Sequence, residues 1–118
     1  MWLCTKFGFY SITRKKADEW HVRGRCEKDL VNLKKDCDLR EPVIRTAPAD
    51  YRWRIVIEEK VTMDRVFQVL WDTLDYSNFK GKIGQTPDQR DKLNIYHGWW
   101  DDMYGFQAEN GGSGEGAE

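Results

Sequence analysis

The sequence predicts an α+β domain: a four-stranded antiparallel sheet with helices on one face, ferredoxin-like or related. The expected order is β-β-α-β-β-α followed by one more helix. Three observations predict it. Two segments, Glu19 to Cys26 and Tyr51 to Glu58, alternate apolar and polar residues with period two, the pattern of half-buried strands. Each is followed by a segment whose apolar residues recur every three or four positions, the pattern of a helix with one buried face. The chain has 118 residues, 40% hydrophobic, with six Trp, which suits one core built without disulfides.

The elements follow in order. Trp2 to Arg14 reads as strand interrupted at Gly8, because Phe7 to Thr13 is rich in aromatic and β-branched residues. Lys15 to Asp18 is a polar turn. In the next strand Trp20, Val22, Gly24 and Cys26 share one side and His21, Arg23 and Arg25 the other. Cys26, Leu30, Leu33 and Cys37 then form a helical stripe. After Pro42, Val43 to Thr46 reads as a short edge strand, since proline is confined to strand starts and edges. Ala47 to Asp50 is a turn.

In the second alternating strand Tyr51, Trp53, Ile55 and Ile57 face one way, Arg52, Arg54, Val56 and Glu58 the other. Thr62 is the expected N-cap of a helix with Met63, Val66, Phe67, Leu70 and Leu74 buried. Gly81 to Gln85 reads as a loop. Thr86-Pro87-Asp88 has the cap, first-turn proline and acid of a helix start. That third helix carries Leu93, Tyr96, Trp100 and Met103 on one stripe and Ile95, Trp99 and Phe106 on a second. A single domain over 1–108 and a disordered Gly-rich tail over 109–118 are expected.

Composition excludes several classes. No run of apolar residues is long enough to cross a bilayer. Lys6 falls where a signal peptide would be apolar, so a cytoplasmic location is expected. Cys4, Cys26 and Cys37 are odd in number and lack CxxC spacing, and His21 and His97 are the only histidines. Neither a metal site nor a disulfide framework is expected, and the cysteines read as reduced packing residues. No Gly-rich phosphate loop is present, and no cofactor is expected. Net charge is −1, but residues 1–60 hold 14 Lys/Arg against 10 Asp/Glu, whereas residues 61–118 hold 5 against 10.

The candidate site is a basic sheet face. With the apolar side of both alternating strands under the helices, His21, Arg23, Arg25, Arg52 and Arg54 share the opposite face. Arginine forks match phosphate and carboxylate geometry. The competing reading is a solvated surface on which these residues pair with Glu19, Glu58 and neighbouring groups. His97 and Asp101, four apart on one helix face, have the spacing of an oriented general base. They lack a nucleophile, so a surface contact is the expected role. Cys26, beside Arg25, is the thiol with the most electropositive setting, but its place on the helical stripe favours packing. Asp75 to Lys80 reads as a structural turn after the second helix. Ile95, Trp99 and Phe106 form a candidate partner or homodimer surface, the alternative being a helix wrapped by other elements.

The opening Met1-Trp2-Leu3-Cys4-Thr5-Lys6-Phe7-Gly8-Phe9-Tyr10-Ser11-Ile12 resembles the start of a group of small bacterial and phage proteins. His21 to Arg25, Thr46 to Arg54, Asp75-Tyr76-Ser77-Asn78-Phe79-Lys80, and Tyr96-His97 with Trp100 and Met103 extend the resemblance to about residue 104. It implies an intracellular single domain and assigns no activity. The expected function is therefore a non-enzymatic binding or regulatory module with weak nucleic-acid or anionic-ligand binding on the arginine face. The alternative is a small enzyme or ligand-binding domain that takes an anionic substrate there.

Overall fold

The structure is a computed structural model that describes residues 1–46 and 48–111. Two compact units are present, Met1–Ser77 and Asn78–Glu118. Residues 112–118 of the expected tail, and Ala47 in the expected turn, lie outside the described residues.

The first unit holds five antiparallel strands: β1 (Trp2–Cys4), β2 (Phe9–Lys16), β3 (Glu19–Gly24), β4 (Ile44–Arg45) and β5 (Trp53–Ile57), in the spatial order β1-β2-β3-β5-β4. α1 (Glu27–Asp36) and α2 (Lys60–Asp72) complete it. The class is α+β, but five strands replace the four expected of a ferredoxin-like sheet. The added strand comes from the opening segment, which folds back on itself. The Thr5 hydroxyl accepts from the amides of Phe7 and Gly8, both at 3.1 Å, and donates to the Gly8 carbonyl at 2.8 Å. This closes a tight turn and pairs Trp2 with Ser11 and Cys4 with Phe9.

Cross-strand pairing fixes the two faces. Ile12, Val22 and Ile55 are paired in succession across β2, β3 and β5, as are Ser11, Arg23 and Arg54 in the neighbouring row. The first row faces α1 and α2. Tyr10, Ile12, Val22, Ile55 and Ile57 pack there with Leu30, Leu33, Met63 and Val66. Burial of this apolar face is the main source of stability. The Ser11 row lies on the opposite face.

α1 has Glu27 and Asp29 in its first turn and Lys34 and Lys35 in its last, matching its dipole. It ends in a Schellman-type closure. The Leu39 amide bonds the Lys34 carbonyl at 2.9 Å and the Asp38 amide bonds Lys35 at 3.3 Å, with Asp38 in the left-handed region at φ 53°. α2 begins two residues before the expected cap. Its N-cap is Glu59, and Thr62 is buried within the first turn. Met63 and Val66 are buried, whereas Phe67 and Leu74, expected on that face, are exposed with Trp71.

In the second unit, α3 (Phe79–Gly84) occupies the segment expected as a loop. Asn78 caps it, accepting from the Gly81 amide at 3.1 Å. The expected helix start at Thr86 yields only a turn, with Gln89 and Arg90 amides on the Thr86 carbonyl, then a 3-10 turn over Arg90–Lys92. α4 (Leu93–Asn110) starts seven residues later than Thr86 and runs past Glu109, where the tail was expected to begin. No helix among the described residues is long and apolar enough to cross a membrane.

Candidate functional site

The arginine face is built by strand register. Arg23 on β3 and Arg54 on β5 are direct cross-strand partners, and both are half-buried. Like charges placed opposite one another on a sheet repel. Each guanidinium is anchored by hydroxyls instead of carboxylates. Arg23 donates from Nη2 to Ser11 Oγ at 2.7 Å. Arg54 donates from Nε to Thr46 Oγ1 at 3.1 Å and from Nη1 to His21 Nδ1 at 2.9 Å. On the far side of the ring, His21 Nε2 lies 2.9 Å from Glu19 Oε2. Accepting from Arg54 commits Nδ1 as an acceptor, so Nε2–H donates to Glu19.

Arg25 and Arg52 flank this pair. Arg25 follows the end of β3 and donates from Nη1 to the Asp50 carbonyl at 3.0 Å; Arg52 precedes β5 and is exposed. Tyr51 departs from the expected parity. Its ring lies 4.5 Å from the Arg23 guanidinium and 4.3 Å from that of Arg25, and it takes no part in the core cluster under the helices. The reason is local: β5 begins only at Trp53, so period-two alternation does not reach back to residue 51. Ring and guanidinium stack favourably, which holds both arginines in place. Among the described residues none of Arg23, Arg25, Arg52 or Arg54 is paired with a carboxylate.

His21, Arg23 and Arg54 thus lie on one face of β3 and β5, and Arg25 and Arg52 lie just beyond the paired ends of those strands. Ser11 and Thr46, which orient Arg23 and Arg54, were not singled out in the sequence. Cross-strand partners carry no sequence signal of their own until the register is known.

Other candidates resolve into structural roles. His97 Nε2 lies 3.5 Å from Asp101 Oδ2, with both side chains exposed; its Nδ1 lies 3.3 Å from Lys80 Nζ. The ring stacks on Trp100, which stacks on Tyr104. Asp75 pairs with Lys6 at 3.1 Å, and Phe79 packs edge-on against Tyr96. Cys37 is buried, and burial pushes its thiol up to about 11, so it is not a thiolate nucleophile near neutral pH.

The helix surface expected from Ile95, Trp99 and Phe106 is exposed: Ile95 53%, Trp99 37% and Phe106 61%, with Met103 at 68%. Only Tyr96 of α4 is buried.

Comparison of the chain with protein-family models, with curated proteins and with solved structures gives no match. The functional reading therefore stands on the geometry of the site.

Proposed function

We propose that this protein is a non-enzymatic binding module that holds an anionic group between Arg23 and Arg54. One observation carries the reading: two arginines are direct cross-strand partners, and among the described residues neither is paired with a carboxylate. A bound anion removes the repulsion between them. Arg23 uses Nε and Nη2 on Ser11, and Arg54 uses Nε and Nη1 on Thr46 and His21. Each retains one terminal nitrogen for an anion. The alternative is a small enzyme using the same arginines, with His21 or Glu19 as its base. His21, the nearest imidazole, has both ring nitrogens in contact with protein groups, Arg54 and Glu19.

Calorimetric titration with pyrophosphate at low ionic strength tests this reading. Wild type is expected to bind, and Arg23→Ala and Arg54→Ala each to weaken binding about tenfold or more, roughly 1.4 kcal/mol. An Arg54→Lys variant keeps the charge but loses the fork, and is expected to fall between. A folded wild type that takes up no pyrophosphate would discard the proposal.

We further propose that α4 is a self-association face, a reading favoured by its exposed apolar row. Trp99, Met103, Phe106 and Asn110 are spaced four, three and four apart, the spacing of a coiled-coil seam. A parallel pair sets Ile95 of one copy beside Trp100 of the other and Asp102 beside Gln107. An antiparallel pair instead brings Asp102 onto its own copy. Sedimentation over a concentration series is expected to show monomer giving way to dimer, and Met103→Glu to remain monomeric. A wild-type monomer at every concentration, with Trp99 open to a quencher, would rule out the dimer.

A further inference from the structure

We propose that the anion held on the sheet is the backbone of a single-stranded nucleic acid, laid across the arginine end as an extended chain; this rests on the anion site between Arg23 and Arg54. Arg23 is paired with Arg54 and Gly24 with Trp53, where the ladder ends. Arg25 and Arg52 lie just beyond it, both exposed, and Arg25 shares the Tyr51 ring with Arg23. Two further guanidinium groups therefore stand beyond the paired row.

A single small anion held by Arg23 and Arg54 leaves Arg25 and Arg52 without a counter-charge. Neutralising all four takes a ligand that presents several anions in succession. An extended phosphodiester chain does this with one phosphate per nucleotide. The aromatic contact favours nucleic acid over an acidic peptide. The guanidinium groups of Arg23 and Arg25 lie on the Tyr51 ring, and the ring itself is buried. A guanidinium plane braced on one side by an aromatic ring has its other side suited to stacking on a base. A carboxylate side chain has no planar face of that size to use. The charge division of the chain agrees: the excess of Lys/Arg lies in residues 1–60, which contain all four arginines.

The test is fluorescence anisotropy with a labelled oligothymidylate of about eight nucleotides, a length within the range one small domain covers. Oligoglutamate of equal length and pyrophosphate serve as competitors. Four phosphate contacts are expected to give a slope of log affinity against log salt of about −3, since each contact to a single strand contributes about −0.7. The double variant Arg25→Ala/Arg52→Ala changes two exposed side chains outside the paired row. It is expected to bring the slope to about −1.4 and to weaken the oligonucleotide about tenfold or more, a larger factor than its effect on pyrophosphate. If pyrophosphate still binds at Arg23 and Arg54 but the oligonucleotide binds no tighter than oligoglutamate, the nucleic-acid assignment is overturned and the anion site survives. If wild type takes neither pyrophosphate nor oligonucleotide, the anion site itself falls, and this inference falls with it.

Discussion

Ile55→Ala is expected to lower the stability of the first unit by about 3–4 kcal/mol, near the middle of the range for truncating a fully buried aliphatic side chain. Ile55 is inaccessible to solvent at the centre of β5. Val22 is its cross-strand partner, Ile12 lies one strand further on, and α1 and α2 close over all three. Close packing on every side leaves little room for collapse around the missing atoms, so a cavity remains and its cost adds to the lost transfer free energy. Val56, the next residue, points to the arginine face and is only half-buried. Val56→Ala is therefore expected to cost about 1 kcal/mol or less. Urea melts followed by far-UV circular dichroism give both values. Reversed ranking would mean that the two faces of the sheet have been exchanged, and the arginine site would lose its basis.

That pair of neighbours also marks what the sequence makes legible. Alternation over Trp20 to Gly24 and Trp53 to Ile57 specifies which side chains share a face, because one residue of slip would turn Ile55 to the other side. His21, Arg23 and Arg54 share a face by that parity, whereas Arg25 and Arg52 lie just outside the two strands. The partners of these side chains do not follow from it. Ser11 reaches Arg23, and Thr46 reaches Arg54, through pairings that depend on which strands adjoin. Tyr51 shows where alternation stops: residues 51 and 52 precede the strand, and the ring turns to the guanidinium groups.

Helix boundaries were legible only where tertiary contacts agree with local signals. Thr62 and Thr86 both have the chemistry of an N-cap, yet the chain enters α2 before the first and α4 after the second. In α2 the Thr62 side is taken into the buried face. At Thr86 the hydroxyl turns back to the Lys82 carbonyl at 2.7 Å, ending α3 instead of opening α4. The fold of the opening segment into two strands was hidden because Gly8 reads as an interruption, and the Thr5 turn that explains it depends on hydroxyl geometry.

Gly8→Ala is expected to destabilise the same unit by about 2–4 kcal/mol through a close approach, without any demand for unusual backbone torsion. The backbone at Gly8 is outside the left-handed region. A Cβ there would lie 2.4 Å from Cγ of Asp29 and 2.5 Å from its Cβ, well inside contact distance. Asp29 cannot simply swing away. It is buried in the first turn of α1, its carboxylate accepts from the Phe9 amide at 3.2 Å, and its backbone carbonyl accepts from the Tyr10 hydroxyl at 2.6 Å. Displacing it costs overpacking strain, about 1–3 kcal/mol, and leaves a buried amide and carboxylate poorly matched. A double-mutant cycle isolates the cause. In an Asp29→Gly background, where the colliding Cβ, Cγ and Oδ1 are all gone, Gly8→Ala is expected to cost at least about 1 kcal/mol less than in wild type, the coupling of two residues in contact. Equal costs in the two backgrounds would show that Asp29 is not what reserves position 8 for glycine. The turn that pairs β1 with β2 would then owe its glycine to some other constraint.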